Sequence, residues 1–145
     1  MMTQDLVLAR RFAVDEGFLF SLITEKPHLL QWWGPEGVHI GDNDLDFTRC
    51  GPWMSVMVNG DGSLHQVSGT VLTTEPPDRV SLTWGWHDQT TGERGHESHL
   101  LFQIVPDEDD GCLLTMTQIG LPTNESLALH REGWTSSLAR IDALI

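Results

Sequence analysis

Apolar and polar positions trade places along this chain with two different periods. Residues 6–13 alternate loosely and read as a strand. Asp15 stands where a helix cap belongs, with Val14 before it as a staple, and Phe18, Leu19, Leu22 and Ile23 then recur at helical spacing. Pro27 suits the first turn of a second short helix carrying Leu29, Leu30, Trp32 and Trp33, which Gly34-Pro35 ends. From residue 38 the period falls to two, and strands are predicted over 38–47, 52–59, 64–75, 78–88, 94–105 and 112–119. Turn residues separate them: Asn59-Gly60-Asp61-Gly62, Pro76-Pro77-Asp78, Thr90-Thr91-Gly92 and the acidic stretch from Asp107 to Gly111. Val80, Leu82, Trp84 and Trp86 alternate with Ser81, Thr83 and Gly85, which describes a strand with one strongly apolar face. After Pro122, Asn124 reads as the cap of a last helix running to the C-terminus. Leu127, His130, Trp134, Leu138, Ile141 and Ile145 make its apolar stripe. Gly133 lies in mid-helix, where glycine costs about 1 kcal/mol relative to alanine, and suggests close contact with another element.

The order is strand, two short helices, six strands, long helix. Strands joined by short turns form an antiparallel meander. One face of that sheet needs cover, and the amphipathic C-terminal helix supplies it. The fold class is α+β, in one domain over 1–145.

Charge narrows the partners. Eight basic residues against 21 acidic give a formal charge of −13, and Lys26 is the single lysine. Nucleic acid and anionic membrane surfaces both require clustered cations and are excluded as partners. No apolar run approaches the roughly 20 residues that span a bilayer. The N-terminus lacks the apolar core of a signal peptide, so the expected location is cytoplasmic. Cys50 and Cys112 lie far apart without CxxC spacing and read as two reduced thiols.

Motifs of catalysis are missing. There is no nucleophile elbow, no phosphate-binding loop and no tyrosine, and Gly60-Asp61-Gly62 belongs to a hairpin rather than a dinucleotide fingerprint. His96 and His99 fall one residue short of a zinc helix motif and point to opposite faces of a strand, so no metal is assigned. Asp42, Asp44 and Asp46 begin like a calcium loop, but Phe47 and Trp53 replace its glycine and its glutamate. Glu97 and His99 are the nearest acid/base pair in sequence, yet no catalytic residue and no cofactor is assigned. His130, on the stripe of the last helix, reads as a hydrogen-bonded core histidine.

Several short motifs, in order, carry a resemblance. They are Trp32-Trp33-Gly34-Pro35, Gly51-Pro52-Trp53, Gly69-Thr70-Val71 with Glu75-Pro76-Pro77, Val80-Ser81-Leu82-Thr83-Trp84, Leu113-Leu114-Thr115-Met116-Thr117, Gly120-Leu121-Pro122, and His130-Arg131-Glu132-Gly133-Trp134. With them the chain resembles the activator of heat-shock-protein-90 ATPase homologue family, within the START-like (SRPBCC) superfamily. It departs at Cys50-Gly51-Pro52, where many relatives carry paired glycines.

The resemblance implies a helix-grip fold: a curved antiparallel sheet around a long C-terminal helix, with two short helices after the first strand. It also implies a cavity between sheet and helix, and homodimers are common among such proteins. Candidate lining residues are Trp33, Trp53, Met57, Trp84, Trp86, Phe102, Met116 and Trp134, with His65 and His99 for a polar part of the wall. Plain core filling is the competing reading for the apolar side chains, and a surface or ordinary hydrogen-bonded position for the two histidines. A dry void of about 300 Å³ would cost roughly 7 kcal/mol, on the scale of a domain's whole stability of about 5–15 kcal/mol. The pocket is therefore expected to be small, wet or occupied. The expected function is non-enzymatic binding of a small hydrophobic or aromatic molecule. The alternatives are a cyclase-, aromatase- or hydrolase-like enzyme on such a ligand, or a chaperone-interacting regulatory module. The eukaryotic activators that the family name evokes carry a separate N-terminal domain, for which this chain has no room.

Overall fold

Period-two alternation produces the sheet that organises the molecule. The computed structural model describes residues 3–145. Its elements in order are β1 (Gln4–Phe12), α1 (Glu16–Thr24), α2 (Lys26–Trp32), β2 (His39–Asn43), β3 (Gly51–Val58), β4 (Leu64–Glu75), β5 (Arg79–His87), β6 (Arg94–Pro106), β7 (Cys112–Leu121) and α3 (Asn124–Arg140), followed by a 3₁₀ turn, Ile141–Leu144. All seven strands form one antiparallel sheet in the order β1-β7-β6-β5-β4-β3-β2. Strands β2 to β7 are the predicted meander. β1 closes the far edge beside β7, with Leu8 opposite Met116 and Phe12 opposite Cys112. Because β1 and β2 adjoin in sequence but occupy opposite edges, α1 and α2 must cross the sheet between them.

Local chemistry sets the helix ends. Asp15 caps α1 as predicted, its Oδ1 accepting from the Phe18 N–H at 2.8 Å. Leu19, Leu22 and Ile23 face the core, whereas Phe18 and Leu30 are exposed. The cap of α3 is Thr123 rather than Asn124: its Oγ1 accepts from the Ser126 N–H at 3.0 Å. The last helix also stops short of the C-terminus. It tightens into the 3₁₀ turn after Arg140, and Ile145 is exposed rather than part of the stripe.

The predicted strand over 38–47 is half its expected length. Asn43 ends it by taking over backbone groups: its side chain donates to the Gly41 carbonyl and accepts from the Leu45 N–H. Leu45 and Phe47 then drop fully into the core, and the Phe47 N–H reaches the Thr24 carbonyl at 2.8 Å. Two of the aspartates of this stretch are held by backbone donors, Asp44 by the Met54 N–H. Asp46 accepts from the Thr48 hydroxyl and N–H, which holds its carboxyl below the ordinary range.

One glycine is required by close approach. A Cβ on Gly69 would lie 1.9 Å from the Thr83 carbonyl oxygen, which itself accepts from the Trp53 indole at 3.2 Å. That contact explains the glycine of the Gly69-Thr70-Val71 motif. Cys50 is exposed and Cys112 buried, and both are free thiols.

Candidate functional site

Aromatic residues from β3, β5, α2 and α3 meet on the inner face of the sheet. Trp33 is at the centre, with the rings of Trp32, Phe47, Trp53, Trp84 and Trp134 all 5.4–5.8 Å from it. Most of these contacts are edge-to-face, the geometry favoured by ring quadrupoles. Five of the six indole N–H groups have an acceptor. Trp32 donates to the Leu22 carbonyl, Trp33 to Ser55 Oγ, Trp53 to the Thr83 carbonyl, Trp86 to His130 Nε2 and Trp134 to Gln118 Oε1. Trp84 is the exception: it is 3% exposed, ringed by aromatic side chains, and its buried Nε1–H meets no acceptor among the described residues.

On one side of this cluster the packing stops. A cavity of about 490 Å³ opens between the sheet and the first half of α3. Trp33, Trp84 and Trp134 form its apolar wall, and Met57 and Val38 continue it. His65 and Trp86 border it from the sheet, while α3 contributes Ser126, Leu129, His130 and Gly133. Glu125 and Leu129 are exposed at the rim, so the cavity communicates with solvent.

One polar contact ties sheet to helix there. The Trp86 Nε1–H donates to His130 Nε2 at 3.1 Å, and His130 Nδ1 lies 2.7 Å from the Ser126 carbonyl. A carbonyl only accepts, so Nδ1 carries the proton; an indole only donates, so Nε2 carries the lone pair. His130 is therefore neutral. Burial pushes its pKa below the ordinary imidazole value, against a smaller opposing effect of the Ser126 hydrogen bond. Beyond this contact lies a second, smaller cavity of about 280 Å³, which shares Trp84, Trp86, Ser126 and His130 with the first.

Of the residues singled out from the sequence, Trp33, Met57, His65, Trp84, Trp86 and Trp134 border the larger cavity. Trp53, Phe102 and Met116 do not. They also sit on the inner face, but α1, α2 and α3 press against them and leave them at most 1% exposed. His99 is a correction of a different kind. It follows Ser98 and precedes Leu100, both buried, so the strand period turns it to the exposed outer face. Glu97 shares that face and pairs with Arg94 at 3.0 Å, which removes both members of the sequence-predicted acid/base pair from the cavity.

Two residues that matter were misread. His130 is hydrogen-bonded as expected, but on the cavity wall rather than in the closed core. Gly133 does not serve a close approach: among the described residues a Cβ there would meet nothing within 4 Å, and the residue borders the cavity. Spacing held the missing signal, since 126, 130, 133 and 137 share a helical face made of small or polar residues. Among the described residues no group of acidic, histidine or cysteine side chains is arranged to hold a metal. No helix among them is long and apolar enough to cross a membrane.

Comparison with known proteins agrees with this architecture. The family model for activator of Hsp90 ATPase homologue 1-like proteins matches residues 17–145. The crystal structure of an AHSA1 protein from Silicibacter pomeroyi is 47% identical to this chain, with a TM-score of 0.91 over 97% of this chain and 96% of that one. A Chromobacterium violaceum protein shares the fold at 20% identity, with a TM-score of 0.85 over 97% and 96% of the two chains. A Mycobacterium smegmatis protein does so at 20% and 0.80, over 99% and 91%. No curated protein matches the chain. With a family model spanning the chain from residue 17 and a relative nearly half identical along its length, this protein belongs to the activator of Hsp90 ATPase homologue 1-like family and has its START-like helix-grip fold.

Proposed function

We propose that this protein binds a small hydrophobic or aromatic molecule in the cavity between the sheet and α3. The observation that carries the reading is a space of about 490 Å³ walled by tryptophan rings beside a closely packed core. Typical small-molecule sites have about 300–1,000 Å³ and an apolar lining with a few polar groups. Left as a dry void, this one would cost on the order of 12 kcal/mol, close to the whole stability of a domain. Water through the open rim, or a ligand, must fill it. Neither His65 nor His130 hydrogen-bonds to a carboxylate; their partners are Ser63, Gln89, Ser126 and Trp86. That arrangement supports binding over proton transfer.

Native mass spectrometry of freshly purified protein, followed by a thermal-shift screen of lipids, sterols and aromatic polyketides, tests the proposal. A ligand at 100 times its Kd stabilises by about 2.7 kcal/mol, a readily measured shift. Gly133→Leu, which projects a side chain into the open space, should abolish the shift. Unchanged melting across the whole screen, with no bound mass, removes the reading.

The proposal extends to a homodimer through the outer face of the sheet, where Val7, Val105 and Ile119 are exposed. Light scattering at micromolar concentration decides that point.

A further inference from the structure

The aromatic wall of the cavity is interrupted by a fixed donor facing a fixed acceptor. Trp86 Nε1–H can only donate, and His130 Nε2 can only accept while Nδ1 is held by the Ser126 carbonyl. Both side chains are half-buried, and both front open space on two sides, in the larger and in the smaller cavity. A group entering between them has to answer both demands. A carbonyl or ether oxygen satisfies Trp86 and leaves the imidazole lone pair without a donor. An ammonium group satisfies His130 and leaves the indole N–H without an acceptor. A hydroxyl does both at once, accepting from Trp86 and donating to His130.

Charge limits the rest of the molecule. Glu125 lies at the rim of the larger cavity, and Asp88 and Glu93 border the smaller one, in a chain of formal charge −13. No arginine or lysine borders either cavity, so an anionic ligand is opposed. The indoles of Trp33, Trp84 and Trp134 offer aromatic surface to a ring.

We propose that the cavity takes a neutral aromatic alcohol or phenol whose hydroxyl inserts between Trp86 and His130, an inference that rests on the ligand-binding reading above. Insertion replaces one protein hydrogen bond by two to the ligand. It also opens the bar that separates the two cavities.

Three probes of similar shape test this by calorimetric titration at neutral pH: 2-naphthol, which donates and accepts; 2-methoxynaphthalene, which only accepts; and naphthalene, which does neither. The net gain of one hydrogen bond predicts that 2-naphthol binds about tenfold tighter than naphthalene, with 2-methoxynaphthalene no tighter than naphthalene. In the double variant Trp86→Phe, His130→Phe the ratio of 2-naphthol to naphthalene affinity should fall to about one, whereas in His130→Phe alone, where the Trp86 N–H is left free, 2-methoxynaphthalene should bind about as tightly as 2-naphthol. Naphthalene binding by each variant reports that its cavity is still formed. Equal affinity for all three probes in the unmodified protein overturns the hydroxyl assignment while leaving the cavity as a ligand site. A ratio that survives both substitutions overturns it as well. No binding of any of the three overturns the assignment and the aromatic-ligand reading together.

Discussion

The two halves of α3 lie over the same sheet and do opposite things. From Trp134 onward the helix is sealed down: Trp134, Ser137, Leu138 and Ile141 are buried. Arg140 donates to the Gly34 carbonyl at 2.8 Å and to the Gln31 carbonyl at 3.1 Å, and Ser136 Oγ accepts from the Glu36 N–H at 2.9 Å. Arg10 of β1 pairs with Asp142 just beyond the helix. Before Trp134 the helix spans instead of sealing. Ser126, His130 and Gly133 front empty space, Leu129 is 61% exposed, and the link to the sheet is the Trp86–His130 hydrogen bond. Side-chain volume makes the difference. Trp, Leu and Ile fill the space down to the sheet, while Ser126 and Gly133 are too small to do so and His130 crosses it only as one hydrogen bond to Trp86.

The largest expected effect of that contrast is on stability. Leu138→Ala should destabilise by about 2–5 kcal/mol through lost burial and a residual cavity, whereas Leu129→Ala should stay within about 0.5 kcal/mol. Urea denaturation reads both, and equal losses would break the division of the helix into two halves. Next in size is Trp134→Phe. It leaves Gln118 Oε1, fully buried, without its donor while Gln118 Nε2 still holds Ser98 Oγ. An orphaned buried acceptor predicts a loss of about 1–3 kcal/mol.

Gly133→Ala carries the opposite sign. The new Cβ meets nothing within 4 Å, so the gain in helix propensity, up to about 1 kcal/mol, is realised without a clash. A drop in melting temperature for this variant would mean that the space above Gly133 is closed.

Acid should sharpen the comparison by the smallest amount. The folded pKa of His130 is lowered, so the unfolded chain takes up a proton first, near the ordinary imidazole value of about 6.5. The contribution of the neutral ring to stability is complete above that value. It is lost as the pH falls from about 6.5 through the lower folded value, because burial disfavours the charged ring. His130→Gln, read by urea midpoints between about pH 7.5 and about pH 5.5, should flatten this part of the profile. The lowered carboxyls of Asp61 and Asp88, held by Ser63 and by the backbone of Thr90 and Thr91, respond only below about pH 4 and stay outside the window.

Much of this was legible one element at a time. Asp15 announced α1, the Asn59–Gly62 turn fixed the β3–β4 hairpin, and Val80, Leu82, Trp84 and Trp86 marked one inner face. Illegible were the places where side chains compete with the backbone or where a second layer intervenes. Asn43 ended β2 early through its own hydrogen bonds, and β1 joined β7, a pairing across more than a hundred residues that no local period encodes.

The candidate site divides along the same line. Period two puts Trp84 and Trp86 on one inner face and sets His99 on the face opposite Phe102, which the expectation of a wall-lining His99 overlooked. It is silent on how far the opposing layer stands from that face. Local spacing and turn chemistry thus determined the elements and the face each residue occupies, because those depend on neighbours in the chain. Which inner-face residues are packed shut and which border a cavity was decided only in three dimensions, by where α1, α2 and the bulky half of α3 come to rest.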